Sequence, residues 1–288
     1  VKRNIIQYDS HDTWLRLRKR NINSTESSGL LGLNKYTSLY QIYQDKHSPD
    51  IISIEENERM FWGNQLEWVI AQGAAKKMGW NIIQKKDYIE IPEQKLGGSF
   101  DCISECGSFL VEVKNVDSVI FKNEWTDTEA PAHVEMQLQH QMLVSGVNHC
   151  KLVALVGGNK LVIIERDADP EIQDAIIQAA KDFWAMTEAP TPDFIKDAEY
   201  IKQLYNKTDG TVIESDALYE LCVKRDGYAK MESEAKKEKD ACTAEILTLI
   251  GPAAKVIGSR YTINAGVVNK KEYTVAANSY RSVRVTVK

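Results

Sequence analysis

Ser99-Phe100-Asp101-Cys102-Ile103-Ser104-Glu105-Cys106-Gly107-Ser108-Phe109-Leu110-Val111-Glu112-Val113-Lys114 reads as two strands joined by a turn at Cys106-Gly107, and that reading decides the fold. With Cys106-Gly107 as a two-residue loop, Glu105 pairs with Ser108, and counting back sets Phe100 against Val113, Asp101 against Glu112 and Ser99 against Lys114. Directly opposed residues of an antiparallel pair share one face of the sheet. Phe100, Cys102, Val111 and Val113 then form an apolar face, while Asp101, Glu112 and Lys114 gather with Ser99 on the other.

Opposed carboxylates repel, so this arrangement calls for a cation between them. Mg²⁺ fits, because it takes oxygen ligands and is usually held by one or two carboxylates plus water and phosphate oxygens. Lys114 beside such an ion is placed to orient a water or to stabilise charge developing at phosphorus, which is phosphodiester hydrolysis. The plain alternative is a solvated strand face carrying a Glu–Lys ion pair.

Two helical stretches flank the hairpin. In Met60-Phe61-Trp62-Gly63-Asn64-Gln65-Leu66-Glu67 and its continuation, Phe61, Leu66, Val69, Ile70 and Ala74 recur at helical spacing. Glu67 therefore lies either at the edge of a buried stripe or aimed at a site. Downstream, residues 131–142 read as a helix on which Gln137 and Gln141 share a face at i, i+4, as a pocket rim or a solvated surface.

Together these segments resemble the lambda exonuclease and YqaJ-type viral recombinase family, a branch of the PD-(D/E)xK nucleases. The resemblance runs through Trp14-Leu15-Arg16-Leu17-Arg18, residues 24–34, Trp62-Gly63-Asn64-Gln65-Leu66-Glu67, Gly98-Ser99-Phe100-Asp101, Val111-Glu112-Val113-Lys114, the Gln137-Leu138-Gln139-His140 helix and residues 162–167. It implies metal ligation by Asp101, Glu112 and the backbone carbonyl of Val113, with Lys114 positioning the attacking water. Glu67 would reach the metal directly or through water, and Gln137 would stand next to the catalytic residues. Arg18 falls where the family holds a terminal 5′-phosphate, and Thr25, or its neighbour Ser24, where it places a phosphate-binding hydroxyl. A guanidinium suits that task, since it offers a bidentate fork to a dianion. Two positions depart from the pattern: Phe100 stands where many members have proline, and Gln141 where tyrosine is expected.

The resemblance further implies Mg²⁺ as cofactor, with Mn²⁺ able to substitute, and double-stranded DNA with free ends as substrate. It implies a homo-oligomeric ring, a single-strand annealing protein or recombinase as partner, and a phage or prophage enzyme in the bacterial cytoplasm. The expected activity is digestion from 5′ ends to leave 3′ single strands for recombination. A structure- or end-specific endonuclease of the same superfamily is the enzymatic alternative, and a non-catalytic DNA-binding or assembly module the other.

Composition agrees with such an enzyme. At 288 residues and 43% hydrophobic content the chain can bury one substantial core and a smaller second unit. No apolar run approaches membrane-spanning length, and the N-terminus shows no signal-peptide pattern. Five cysteines with no C-x2-C pair argue against a disulfide framework or zinc site, and Cys102 on the apolar face of the hairpin reads as an ordinary thiol rather than an iron–sulfur ligand. The net charge of −5 divides into −9 for the first 214 residues and +4 for the rest. An acidic body does not exclude DNA, because patches such as Arg16-Leu17-Arg18-Lys19-Arg20 and Lys76-Lys77 can meet phosphates, although that arginine run also reads as the solvated side of a helix.

The patterns predict an α/β fold: a PD-(D/E)xK restriction-endonuclease-like core, a mixed sheet flanked by helices, with a C-terminal helical and β-strand extension. Helices are predicted near 10–20, 24–32, 38–47, 132–145 and 170–188, and strands near 81–91, 96–105, 108–115, 150–157 and 161–166. Ser38-x2-Gln41 is a capping-box pattern, and Asp169-Pro170 an N-cap with a first-turn proline. Thr187-Glu188-Ala189-Pro190-Thr191-Pro192 marks a boundary between a nuclease domain, 1–192, and an extension, 193–288. In the extension, Leu218, Leu221, Tyr228, Met231, Ala235, Cys242, Ile246 and Leu249 fall on a near-heptad stripe of a long helix or helical hairpin. Strands follow near 260–264, 272–276 and 282–287, the last alternating Val283, Val285 and Val287 with polar residues.

Overall fold

The computed structural model describes residues 1–51 and 56–269. They divide into two units, the first Val1–Tyr200 and the second beginning at Ile201. The first opens with β1 (Asn4–Gln7), α1 (His11–Lys19), β2 (Ile22–Asn23), α2 (Ser24–Leu30), α3 (Leu39–His47) and α4 (Glu58–Met78). Side-chain caps set these helix starts. The Ser10 hydroxyl accepts from the Thr13 N–H, Ser38 from the Gln41 N–H and the Asn57 amide oxygen from the Met60 N–H. Gly79 in the left-handed conformation, φ 71°, ends α4.

Seven strands and three helices complete the unit: β3 (Ile82–Gln84), β4 (Asp87–Ile91), β5 (Leu96–Ser99), β6 (Cys102–Ser104), β7 (Leu110–Val116), α5 (Ser118–Glu124), α6 (Ala132–Ser145), β8 (His149–Val156), β9 (Lys160–Asp167) and α7 (Pro170–Trp184). A four-stranded sheet has the order β1-β4-β5-β2, and a five-stranded sheet the order β3-β6-β7-β8-β9. The second is mixed: β7 and β8 run parallel and the other pairs antiparallel. The expected α/β class, a mixed sheet with helices on it, is what the chain adopts.

Two expected strands each divide between the sheets. The strand predicted over 81–91 is β3 and β4, and that over 96–105 is β5 and β6. The break before Cys102 sends Phe100 into the larger apolar core, away from Cys102, Val111 and Val113, so the predicted four-residue apolar face does not form. The pairing survives the break, since Cys102 lies opposite Val111 and Ile103 opposite Leu110 in the counted register. The turn sits one residue earlier than expected: the Gly107 N–H donates to the Ser104 carbonyl, which places Glu105-Cys106 at its centre and Gly107 at φ 75°. Helix α7 ends at Trp184, short of the predicted 188.

β7 is covered on both faces. Val111 and Val113 pack with Ile70, Ala71 and Ala74 of α4, while Leu110 and Val116 join the core of Val134, Leu138 and Met142 from α6. Gly97 in β5 must be glycine, because a Cβ there would stand 2.2 Å from the Tyr88 hydroxyl. Among the described residues all five cysteines are free, and no helix is long and apolar enough to cross a membrane.

The second unit contains α9 (Tyr219–Ile250), a single helix with no buried residue, and an antiparallel pair of β10 (Lys255–Ile257) and β11 (Thr262–Asn264). A short helix, α8 (Ala198–Leu204), precedes them. The strands predicted at 272–276 and 282–287 lie outside the described residues.

One buried side chain ties three elements of the first unit together. His140 of α6 is fully buried, with Nε2 3.0 Å from the Gly97 carbonyl and Nδ1 2.5 Å from the Ser27 hydroxyl. A carbonyl only accepts, so Nε2 carries the proton and Nδ1 accepts from Ser27. Burial lowers the imidazole pKa to about 4, so the folded state keeps it neutral where the unfolded chain begins to protonate. The associated stability is therefore complete above pH 6.5 and lost as pH falls toward 4, up to about 3 kcal/mol. Urea unfolding of wild type and His140→Gln across pH 4 to 7 should show the wild type losing more stability than the variant in that window. Parallel pH profiles would refute the assignment.

Candidate active site

The strand break builds the acidic cluster. Asp101 ends neither strand, and its Oδ2 accepts from the Val113 N–H at 2.8 Å, a donor that a continuous partner strand would have satisfied with its own backbone. On β7, Glu112 is 3% exposed, and both its oxygens are engaged. Oε1 accepts from Gln137 Nε2 at 2.6 Å and from Lys114 Nζ at 2.5 Å, and Oε2 accepts from Gln141 Nε2 at 2.7 Å. Gln137 is held in turn, because its Oε1 accepts from Lys114 Nζ at 3.0 Å. Glu67 of α4 is half-buried and close enough to Asp101 and Glu112 for the charges to be felt.

The electrostatics follow from three carboxylates sharing one ammonium. Burial, then Glu112 and Glu67, hold the Asp101 carboxyl well above the usual carboxylate range. Burial and Glu112 raise Glu67 as well. For Lys114, burial alone would lower the ammonium, but Glu112, Asp101 and Glu67 outweigh it and the pKa rises. The cluster carries more negative charge than Lys114 neutralises, and its donor set is oxygen, so in charge and donor type it suits a hard divalent cation. Among the described residues no three His, Cys, Asp or Glu side chains are placed to hold one ion together, so water and phosphate oxygens would have to complete the coordination of any such ion.

A second group of residues lies on α1 and α2 around Arg18. Within the run Arg16–Arg20, Arg16 pairs with Asp12 at 2.9 Å, Lys19 donates to the Asp50 carbonyl at 2.5 Å and Arg20 grips Glu90 with two nitrogens at 3.0 and 2.8 Å. Arg18 differs. Its Nη2 lies 3.3 Å from the Thr25 hydroxyl and 3.8 Å from Glu26, and its guanidinium stacks on Trp14, 4.6 Å from the ring centroid. The Trp14 indole N–H donates to Ser99 Oγ at 2.8 Å, two residues before Asp101, and so links the Arg18 group to the acidic cluster.

The fold thus brings Glu67, Asp101, Glu112, Lys114 and Gln137 into one cluster and sets Arg18 beside Thr25. Ser24 is buried, 5% exposed, and Thr25 is the residue whose hydroxyl meets Arg18. Val113 contributes its N–H to Asp101 and its side chain to the core against α4. Sequence reasoning undervalued Gln141. It is neither a pocket rim nor a solvated face residue but 2% exposed and a donor to Glu112, where the family pattern has tyrosine; the i, i+4 spacing from Gln137 was the available signal. The indole linking Arg18 to Ser99 left no comparable trace, since the contact joins residues 85 apart in the chain.

Residues 13–148 match the model of the YqaJ-like viral recombinase domain. The chain is 28% identical over 242 residues to the "Uncharacterized protein YqaJ" of Bacillus subtilis (strain 168), covering 79% of this chain and 76% of that one. Among solved structures it is similar to an alkaline exonuclease (LHK-Exo) from Laribacter hongkongensis, at 15% identity and a TM-score of 0.49, over 67% of this chain and 97% of that one. It is also similar to a phage related exonuclease from Haemophilus somnus 129PT, at 11% identity and a TM-score of 0.45, over 59% and 96%. The family expected from the motifs is the one whose model matches: residues 13–148, which hold Arg18, Glu67, Asp101, Glu112, Lys114 and Gln137, are similar to the YqaJ-like viral recombinase domain.

Proposed function

We propose that this protein is a metal-dependent exonuclease that hydrolyses double-stranded DNA from 5′ ends and leaves 3′ single strands for phage-type recombination. The family match supports a nuclease. The observation that carries the finer reading is the union of two features: Asp101, Glu112 and Glu67 around Lys114, and a guanidinium with vacant donors at Arg18.

In this reading Asp101 and Glu112 hold Mg²⁺, or Mn²⁺ in its place, with the Val113 carbonyl and with Glu67 directly or through water. When bound, the cation supplies Lewis-acid polarisation of the phosphodiester and a more acidic water. Lys114, fixed by Glu112 and Gln137, orients the attacking water and stabilises negative charge gathering on the phosphoryl oxygens. Gln137 and Gln141 hold the Glu112 carboxylate in one orientation. Arg18 and Thr25 receive the terminal 5′-phosphate through the guanidinium fork and the hydroxyl. Catalysis belongs to residues 1–192, with 193–288 as an extension. A homo-oligomeric ring, a single-strand annealing partner and a bacterial cytoplasmic setting rest on the family resemblance.

Digestion of linear and covalently closed circular duplex with Mg²⁺ tests the reading. Linear DNA should be consumed to 3′-ended single strands, the circle should survive, and chelation should stop the reaction. Cutting of the circle would make the protein an endonuclease, and inertness toward both would remove the nuclease assignment.

Lys114→Ala should reduce cleavage by at least about a hundredfold while duplex binding persists, because binding rests on dispersed phosphate contacts. A variant cleaving within about threefold of wild type, a barrier change below roughly 1 kcal/mol, would exclude Lys114 from the chemistry.

Arg18→Ala should lose most activity on 5′-phosphorylated linear duplex yet match wild type on the same duplex with a 5′-hydroxyl, where wild type is already slow. Equal losses on both ends would point to general backbone binding instead.

A further inference from the structure

Lys46 of α3 is a buried cation that this mechanism does not use. Its side chain is 3% exposed, and Nζ donates to the Arg18 carbonyl at 2.8 Å and reaches Glu26 Oε1 at 2.9 Å and Oε2 at 2.8 Å. Glu26 Oε2 also accepts from the Asn23 N–H at 2.9 Å and from Asn23 Nδ2 at 3.1 Å. Oε2 thus meets three donors, while Oε1, the oxygen nearer Arg18, accepts from Lys46 alone. Arg18, 3.8 Å away, is left at a distance too long for a charge-assisted hydrogen bond.

Charge balance alone does not require the lysine, because Arg18 is near enough to neutralise Glu26 by itself. An Arg18–Glu26 pair would, however, use the fork that a phosphate needs. Lys46 also fixes the Arg18 backbone, through the carbonyl that Asn23 Nδ2 contacts at 2.9 Å, so it sets the residue's position as well as its freedom. The Glu26 carboxyl is held below its ordinary range, since Lys46 and Arg18 together outweigh its burial, and it stays an anion in search of cations.

We propose that Lys46 is a positioning residue for end recognition: by engaging both oxygens of Glu26, it keeps the Arg18 guanidinium open to a terminal phosphate dianion. This rests on the reading of Arg18 as the phosphate anchor. Loss of Lys46 lets Glu26 capture Arg18, and neutralising Glu26 makes Lys46 dispensable for guanidinium freedom.

The test compares kcat/KM on linear duplexes that differ only in a 5′-phosphate or 5′-hydroxyl end. Lys46→Met should cut the wild-type preference for the phosphorylated end by about tenfold, mainly through KM, the scale of one hydrogen bond to a charged group. Lys46→Met/Glu26→Gln should restore the preference to within about threefold of wild type. A purely structural role for Lys46 lowers both rates together and leaves their ratio unmoved, which would overturn the proposal. If Lys46→Met does not fold, the double variant, which has no unpaired buried charge, decides alone. Preference retained supports the proposal; preference lost means that occupying Glu26 is not what Lys46 contributes and overturns it. A wild type indifferent to the end phosphate, or an Arg18→Ala variant that keeps the preference, removes the anchor reading and this proposal with it. A preference that depends on Arg18 but survives Lys46→Met defeats the proposal alone.

Discussion

The 2.8 Å hydrogen bond from the Val113 N–H to the Asp101 carboxylate is the contact on which the site's geometry depends. The chain leaves β5 in one sheet and enters β6 in another, and a buried ladder donor facing that break would cost roughly 1–3 kcal/mol if left without an acceptor. Asp101 supplies the acceptor from its side chain. The same bond brings a carboxylate beside Glu112, so closing the sheet and assembling the acidic cluster are one event. An apolar residue at 101 would leave both undone.

Glu112 shows how the fold sustains a charge it cannot expose. Isolated in the interior, a carboxylate would be too costly to remain ionised. Two amides from α6 and the Lys114 ammonium surround it, and the alternation of β7 decides which side each serves. Val111 and Val113 face α4, while Glu112 faces the glutamines of α6 between Leu110 and Val116. Three carboxylates nevertheless share one ammonium, and the raised Asp101 and Glu67 carboxyls express that imbalance. The site is held together, yet its charge is open to a cation.

At the other end, a run of four basic residues is sorted by its neighbours. Asp12, the Asp50 carbonyl and Glu90 take up Arg16, Lys19 and Arg20, while Lys46 occupies the carboxylate nearest Arg18. Trp14 carries Arg18 on its face and bonds Ser99 through its indole N–H, so one rigid side chain relates the guanidinium to the strand that leads to Asp101. An acidic chain thereby leaves one guanidinium of this run without a close carboxylate partner.

Much of this was legible in the sequence because it is local. Counting across Cys106-Gly107 placed Cys102 against Val111 even though the turn lies one residue earlier, since moving the turn while keeping the pairing leaves every side chain on its face. Helical spacing located Gln137 and the stripe of α4, and the order of the motifs pointed to the family whose model matches residues 13–148. The division of 81–91 and 96–105 between two sheets could not be read, because strand propensity reports extended backbone and not which partner it meets. Nor could the burial of Gln141, or the difference between Arg18 and its basic neighbours. Those depend on hydrogen-bond partners contributed from 29, 70 and 28 residues away in the chain, and only tertiary packing brings such groups within hydrogen-bonding distance.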